Sequence, residues 1–242
     1  MEQAIDLTAY QDMPRRRARP TEKGRDPYDG LRPWSAVTHG IGAALALAGT
    51  ALLIVKTALT GGGPWKIVSF AIYGASMICL YLASTLYHCV NTSVKGRLAL
   101  RKFDHASIYF LIAGTYTPVC LTALRGPWGW SIFGVVWGLT IAGLAMTFAW
   151  IDCPRQLTAG IYLAMGWLSA IAIWPLWNAM GWRGMFWLAL GGVLYTVGGL
   201  SYALKWPGRD NPRFGCHEIF HVFIVLGSIA HFMLVYRVLL PL

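Results

Sequence analysis

The chain has 242 residues, of which 56% are hydrophobic and 12% charged, against about 25% charged in an ordinary soluble domain. Its 14% aromatic content brings more apolar surface than a solvated, disordered coil tolerates. Twenty Lys and Arg against ten Asp and Glu give a formal charge of +10, which suits either nucleic acid or a membrane surface until the positions of the charges are considered.

Residues 1–33 hold six acids and seven bases, including Arg15, Arg16, Arg17 and Arg19, and no apolar stretch of signal-peptide type. This segment reads as a flexible basic cytoplasmic tail, and residues 34–242 as a single transmembrane domain. From Trp34 onward seven apolar stretches follow, at 34–56, 66–90, 103–124, 129–151, 157–178, 183–204 and 216–240. Each is close to the roughly 20 residues a helix needs to cross about 30 Å of hydrocarbon. Polar or Gly/Pro-marked breaks separate them: Gly61 to Pro64, Lys95 to Lys102, Arg125 to Pro127, Asp152 to Arg155, Gly181 to Arg183, and Lys205 to Arg213. No stretch alternates as barrel strands do, and lipid cannot satisfy free backbone groups, so the expected fold is an all-α bundle of seven transmembrane helices.

Eight tryptophans, Trp34, Trp65, Trp128, Trp130, Trp150, Trp177, Trp182 and Trp206, fall near proposed span ends, as an interfacial aromatic belt requires. Counting Lys and Arg on alternate sides places 15 of the 20 with the N-terminus and 5 opposite. That bias predicts a cytoplasmic N-terminus and an outer C-terminus in a multi-pass protein of the cell's inner (plasma) membrane. The +10 charge then becomes a topology signal and an attraction to anionic inner-leaflet lipids, with no nucleic-acid partner. Five cysteines (Cys79, Cys89, Cys120, Cys153, Cys216) show no CxxC pair and read as buried reduced thiols. Pro118 lacks the N–H that would bond the Gly114 carbonyl, so the third span is expected to kink or loosen there, with Thr115 and Thr117 available to freed groups.

Ionisable side chains within membrane spans are costly and mark candidate sites. They are His39, His88, Asp104, His105, His217, Glu218, His221 and His231. In the proposed topology His39, His88, Asp104, His217 and His221 all fall in one cytoplasm-facing layer. His217 and His221 share a helix face one turn apart, a spacing that suits two imidazoles on one metal ion, with His88 able to supply a third nitrogen. Three His plus a water form the open site of a catalytic zinc. Ser84 lies one turn before His88, and Asp104 lies across a short loop, where a carboxylate can orient a water or take its proton.

Each residue also has a plainer reading. A lone intramembrane His can be a hydrogen-bonded packing residue, Asp104 an interfacial partner of Arg101 or Lys102, and Ser84 a hydroxyl bonded to its own helix. His105 reads as packing or support for the site, and His231, deeper and on another face, as structural. His217-Glu218-Ile219-Phe220-His221 satisfies the HExxH pattern of zinc proteases, in which the Glu is the general base. Intramembrane zinc proteases take a further Asp ligand from a later helix, and no Asp follows here; Glu218 as a base stays open.

Trp34 to Gly42 (WSAVTHGIG), Ser84 to His88 (STLYH), Asp104 to Tyr109 (DHASIY) followed by Gly114 to Pro118 (GTYTP), and His217 to His221 (HEIFH) together resemble the bacterial hemolysin III branch of the progestin and adipoQ receptor (PAQR) family. The resemblance covers nearly everything after residue 33. It implies seven transmembrane helices with a cytoplasmic N-terminus. It also implies Zn2+ held by His88, His217 and His221, with Asp104 bonded to a water at the metal and Ser84 beside it. The related alkaline ceramidases use the same Ser, Asp and His set on lipid amides. The early His of the bacterial branch falls on His39, without an assigned role.

The expected function is a zinc-dependent hydrolase of a lipid amide or ester at the cytoplasmic leaflet, with Asp104 and Ser84 catalytic and a membrane lipid as substrate or ligand. Alternatives are a non-catalytic sensor or regulator of lipid state with structural zinc, and a pore-forming, hemolysin-like cytolytic protein. The seventh span has no Lys for a Schiff base, which argues against a retinal receptor.

Overall fold

The computed structural model describes residues 31–209, 211 and 214–242, so most of the expected tail, residues 1–30, lies outside the described residues. Among the described residues the structure is all helical, with no strand. The helices are α1 (Pro33–Leu59), α2 (Pro64–Cys89), α3 (Val94–Pro118), α4 (Pro127–Ala149), α5 (Arg155–Gly166), α6 (Ile173–Leu204) and α7 (Cys216–Leu234). Proline opens α1, α2 and α4, a first-turn position where its missing N–H costs nothing and its φ is already helical.

Six helical runs among the described residues are long and apolar enough to cross a membrane: Pro33–Leu59, Pro64–Cys89, Val94–Ala123, Pro127–Ala149, Arg155–Leu204 and Cys216–Leu239. The chain is thus a multi-pass membrane protein by helix length and composition. The expected fifth and sixth spans fall together within the 50-residue run Arg155–Leu204, made of α5, a short 3-10 stretch (Trp167–Ala172) and α6. That run is not straight. Gly181 has φ 58° and ψ −168°, a conformation nearly confined to glycine. On either side of it the chain lies alongside itself: the Trp167 indole donates to Thr196 Oγ1 at 3.0 Å, and Arg155 Nη1 donates to the Tyr202 carbonyl at 3.4 Å.

The stretch Lys95 to Lys102, expected as a break, forms the first turns of α3. Ser93 caps that helix by accepting the Gly96 N–H at 3.2 Å. Three of its four basic residues enter the helix with partners: buried Arg97 donates to the carbonyls of Tyr87 and Val90, Arg101 pairs with Asp152 at 3.1 Å, and Lys102 donates to the Phe148 carbonyl at 2.9 Å, while Lys95 is exposed. These contacts stitch the start of α3 to the end of α2 and to the α4–α5 junction.

Pro118 ends the α-helical part of α3, and Val119–Ala123 winds on as a π-helical turn, so the expected loosening is present. The threonine hydroxyls serve other groups than expected. Thr115 donates to the Leu111 carbonyl and Thr117 to that of Ala113, both at 2.8 Å, and not to the Gly114 carbonyl. Gly114 itself lies against Ser76 so closely that a Cβ would overlap the Ser76 side chain, which lets α2 and α3 approach backbone to backbone. All five cysteines are free thiols, but only Cys120 and Cys153 are buried, and Cys89 is exposed.

Helix α2 packs broadly against α1 and α3, α6 packs broadly against α7, and α1 also meets α7. Outward faces carry large apolar side chains such as Leu45, Leu52, Ile141 and Trp174, as lipid contact demands. Polar side chains such as His39, His88, Asp104 and His221 are buried.

Candidate metal centre

The end of α2, the start of α3 and the start of α7 meet at one end of the bundle. The α-helical period places Ser84 and His88 one turn apart on α2, and His217 and His221 one turn apart on α7. His217 Nε2 lies 3.3 Å from His88 Nε2 and 3.1 Å from His221 Nε2. One ring nitrogen carries one hydrogen or one lone pair, so His217 Nε2 cannot make a good hydrogen bond to both neighbours. A cation between the three nitrogens satisfies all of them at once. Tetrahedral ligation at about 2.0–2.1 Å per nitrogen puts ligand nitrogens about 3.3 Å apart, close to the spacing observed. The residues present therefore fit a metal ion, and the group His88, His217 and His221 can hold one, with His88 and His221 buried and His217 partly so.

Side chains from α1, α3 and α6 lie around this cluster. His39 of α1 stacks on His221, with ring centroids 3.7 Å apart and planes at 30°. Tyr202 of α6 lies 5.7 Å from His217, ring to ring. Asp104 is within reach of the Ser84 side chain, and its Oδ2 lies 3.7 Å from His105 Nδ1. Asp104 is not the partner of Arg101 or Lys102, whose charges are directed to Asp152 and to the Phe148 carbonyl.

Glu218, the acid of the HExxH pattern, is engaged away from the cavity. Its carboxylate accepts from Arg32 Nη1 at 3.2 Å and from the Gly215 N–H at 2.9 Å, and the residue is not among those lining the cavity below the cluster. On the first turn of a helix, residues 217 and 221 share a face, whereas 218 is turned about 100° away. A carboxylate so engaged anchors the first turn of α7 to the start of α1.

That cavity has a volume of about 270 Å³. Ser84, Asp104, His217 and His221 line its polar end, and the wall descends along α3 through Leu111 and Val119 to Leu124, a helical distance of about 30 Å from Asp104. Leu163 of α5, Leu188 of α6 and Ile224 of α7 complete its apolar sides. The two polar groups and the paired histidines therefore sit at the head of a long greasy chamber.

Residues 33–232 match the family model described as Haemolysin-III related. The chain belongs to this family. It is 41% identical over 201 residues to the Hemolysin-3 homolog of Bacillus subtilis, covering 83% of this chain and 91% of that protein. Against Hemolysin-3 of Bacillus cereus it is 37% identical over 208 residues, 86% of this chain and 91% of that protein. Among more distant haemolysin-III relatives, it is 27% identical over 225 residues to the Adiponectin receptor protein of Drosophila melanogaster, 84% of this chain and 50% of that protein.

Three contributors were not singled out from the sequence: Arg32, Ser35 and Tyr202. Arg32 and Ser35 act across 183 or more residues of chain, and neither residue type is unusual where it stands, so no local pattern marks them.

Proposed function

We propose that this haemolysin-III protein is a zinc-dependent hydrolase of a lipid amide or ester, working at the cytoplasmic leaflet of the plasma membrane. The observation that carries this reading is the opening of one apolar cavity onto Asp104, Ser84 and the paired histidines of α7. A chamber of this kind suits an acyl chain, with the scissile carbonyl held at its polar head.

His88, His217 and His221 would hold the zinc. Bound there, it would supply Lewis-acid polarisation of the carbonyl and make a water more acidic. Asp104 orients the attacking water and takes its proton. Ser84 aims the Asp104 carboxylate and then turns its hydroxyl to the developing oxyanion. The apolar walls exclude bulk water from the acyl chain and fix its direction relative to the carboxylate.

Seven crossings with the N-terminus in the cytoplasm are part of the proposal. A straight 50-residue helix would be about 75 Å long, more than twice the hydrocarbon thickness, and the contacts across Gly181 favour two antiparallel crossings. The basic excess on the side of Arg32, Lys95 and Lys102 suits anionic inner-leaflet lipids. The printed name of the Bacillus cereus relative, Hemolysin-3, points to lysis, but Leu111, Val119, Leu124, Leu163, Leu188 and Ile224 make much of the cavity wall apolar. That arrangement favours a lipid chamber over a water-filled pore.

Purified protein incubated with zinc is expected to retain about one ion per chain and to release fatty acid from a lipid amide or ester. A preparation that holds no metal overturns the reading. Zinc retained with no turnover on a panel of amide and ester lipids leaves a lipid-sensing protein with structural zinc, and leakage of a trapped dye from reconstituted liposomes would support the pore.

A further inference from the structure

The two helices that carry the candidate ligands, α2 and α7, make few direct backbone contacts, whereas α1 packs against both. At its start α1 reaches each of them through one residue. The Arg32 backbone N–H donates to the carbonyl of His88 at 3.0 Å, and the Arg32 guanidinium pairs with Glu218 Oε1 at 3.2 Å. Ser35 Oγ reaches the same oxygen at 3.4 Å. The other oxygen of Glu218 receives the Gly215 N–H, closing the first turn of α7 in which His217 sits. One turn further along α1, His39 lies flat on the ring of His221. Ser35 and His39 stand one turn apart on one face of α1, and Arg32 is the extended N-cap residue just before that helix.

We infer that the start of α1, with its N-cap residue, is the positioning element of the metal centre, with Arg32 and Ser35 acting through Glu218 and His39 acting through His221, an inference that rests on the metal-binding reading of the three histidines. Glu218 is 1% exposed on its side chain. A buried carboxylate is held in place by its cationic partner and strands an uncompensated charge when that partner is lost. The ion pair thereby fixes the rotation of the first turn of α7 relative to α1, while the Arg32 N–H fixes the last turn of α2 relative to the same residue. Both ligand-bearing turns are thus referenced to one point in the chain. The stacked His39 ring restrains the plane of His221, whose own Nδ1 has no hydrogen-bond partner to do so.

The test uses the full chain in detergent, with Arg32→Ala, Glu218→Gln, the double variant and Arg32→Lys. Zinc affinity is read by competition with a chelator, and ligand geometry by the visible absorption of Co2+ in the same site. Loss of a group that orients a ligand lowers metal affinity about 10- to 100-fold. Arg32→Ala and Glu218→Gln are each expected to show such a loss with an altered cobalt spectrum. The double variant should be no worse than the weaker single, because both break one ion pair, and Arg32→Lys should recover most of the affinity. If Arg32→Ala does not fold, Glu218→Gln, which keeps the side-chain volume, decides alone. Wild type that binds metal while Glu218→Gln keeps its affinity within twofold and its cobalt spectrum overturns this inference only. Wild type that binds no metal overturns it together with the proposed function.

Discussion

Helix α7 carries histidines at two levels, and their surroundings differ in kind. Near its start, His217 and His221 turn their Nε2 atoms toward each other and toward His88, at 3.1 and 3.3 Å. Further along, His231 lies beside Tyr195, ring centroids 5.3 Å apart, next to a network of hydroxyls centred on Ser228. There Tyr81 donates to Ser228 Oγ at 2.7 Å, Tyr195 shares a bond with the same oxygen at 2.9 Å, and Tyr73 donates to the Ser228 carbonyl at 3.3 Å. The upper cluster sets three ring nitrogens against one another, an arrangement that a bound cation would satisfy. The lower one surrounds a lone imidazole with an aromatic ring and paired hydroxyls, and no second ring nitrogen converges on it. An intramembrane histidine is therefore a candidate ligand where other nitrogens converge on it, and packing where hydroxyls and rings enclose it.

The sharpest way to break this contrast is His217→Ala, which removes the nitrogen shared by both short contacts. It is expected to lower bound zinc from about one per chain to near zero in elemental analysis; a stoichiometry unchanged from wild type would place the metal elsewhere. Asp104→Asn comes next. It should leave zinc bound but reduce lipid hydrolysis about 10²- to 10⁴-fold, the usual cost of losing a general base; full turnover in this variant would remove Asp104 from the mechanism. His231→Phe is expected to keep zinc affinity within a few-fold and to change stability by less than about 1.5 kcal/mol, as a nearly shape-conserving swap in a packed site does. Metal loss in that variant would erase the distinction between the two levels. The smallest effect belongs to Tyr81→Phe, which deletes one interhelical hydrogen bond and should cost about 0.6 kcal/mol in a membrane-phase unfolding assay, with zinc binding unchanged.

How far the sequence reached differs from residue to residue. His88, His217 and His221 were legible because helical period and span order alone put them in one layer, and the structure brings those three together. Ser84 and Asp104 were legible for the same reason, and the contact between them follows from the short α2–α3 connection. The early start of α3 was not. Four basic residues read as a break when counted along the chain, yet Arg97 and Arg101 are buried by carbonyls and a carboxylate that lie on other segments. The role of Glu218 stayed open in the sequence for a related reason. The HExxH pattern describes spacing along one helix, whereas the partner that engages this carboxylate, Arg32, comes from the opposite end of the chain.

The sequence by itself determined that this is a helical membrane protein with a histidine-rich layer, because hydrophobic length, helical period and the cost of charge in lipid are properties of short segments. Only the tertiary structure decided that α1 joins α2 to α7, that Glu218 anchors a helix, and that a long apolar cavity opens onto Asp104. Those facts depend on which helix faces touch, and segments up to 186 residues apart leave no local mark of their meeting.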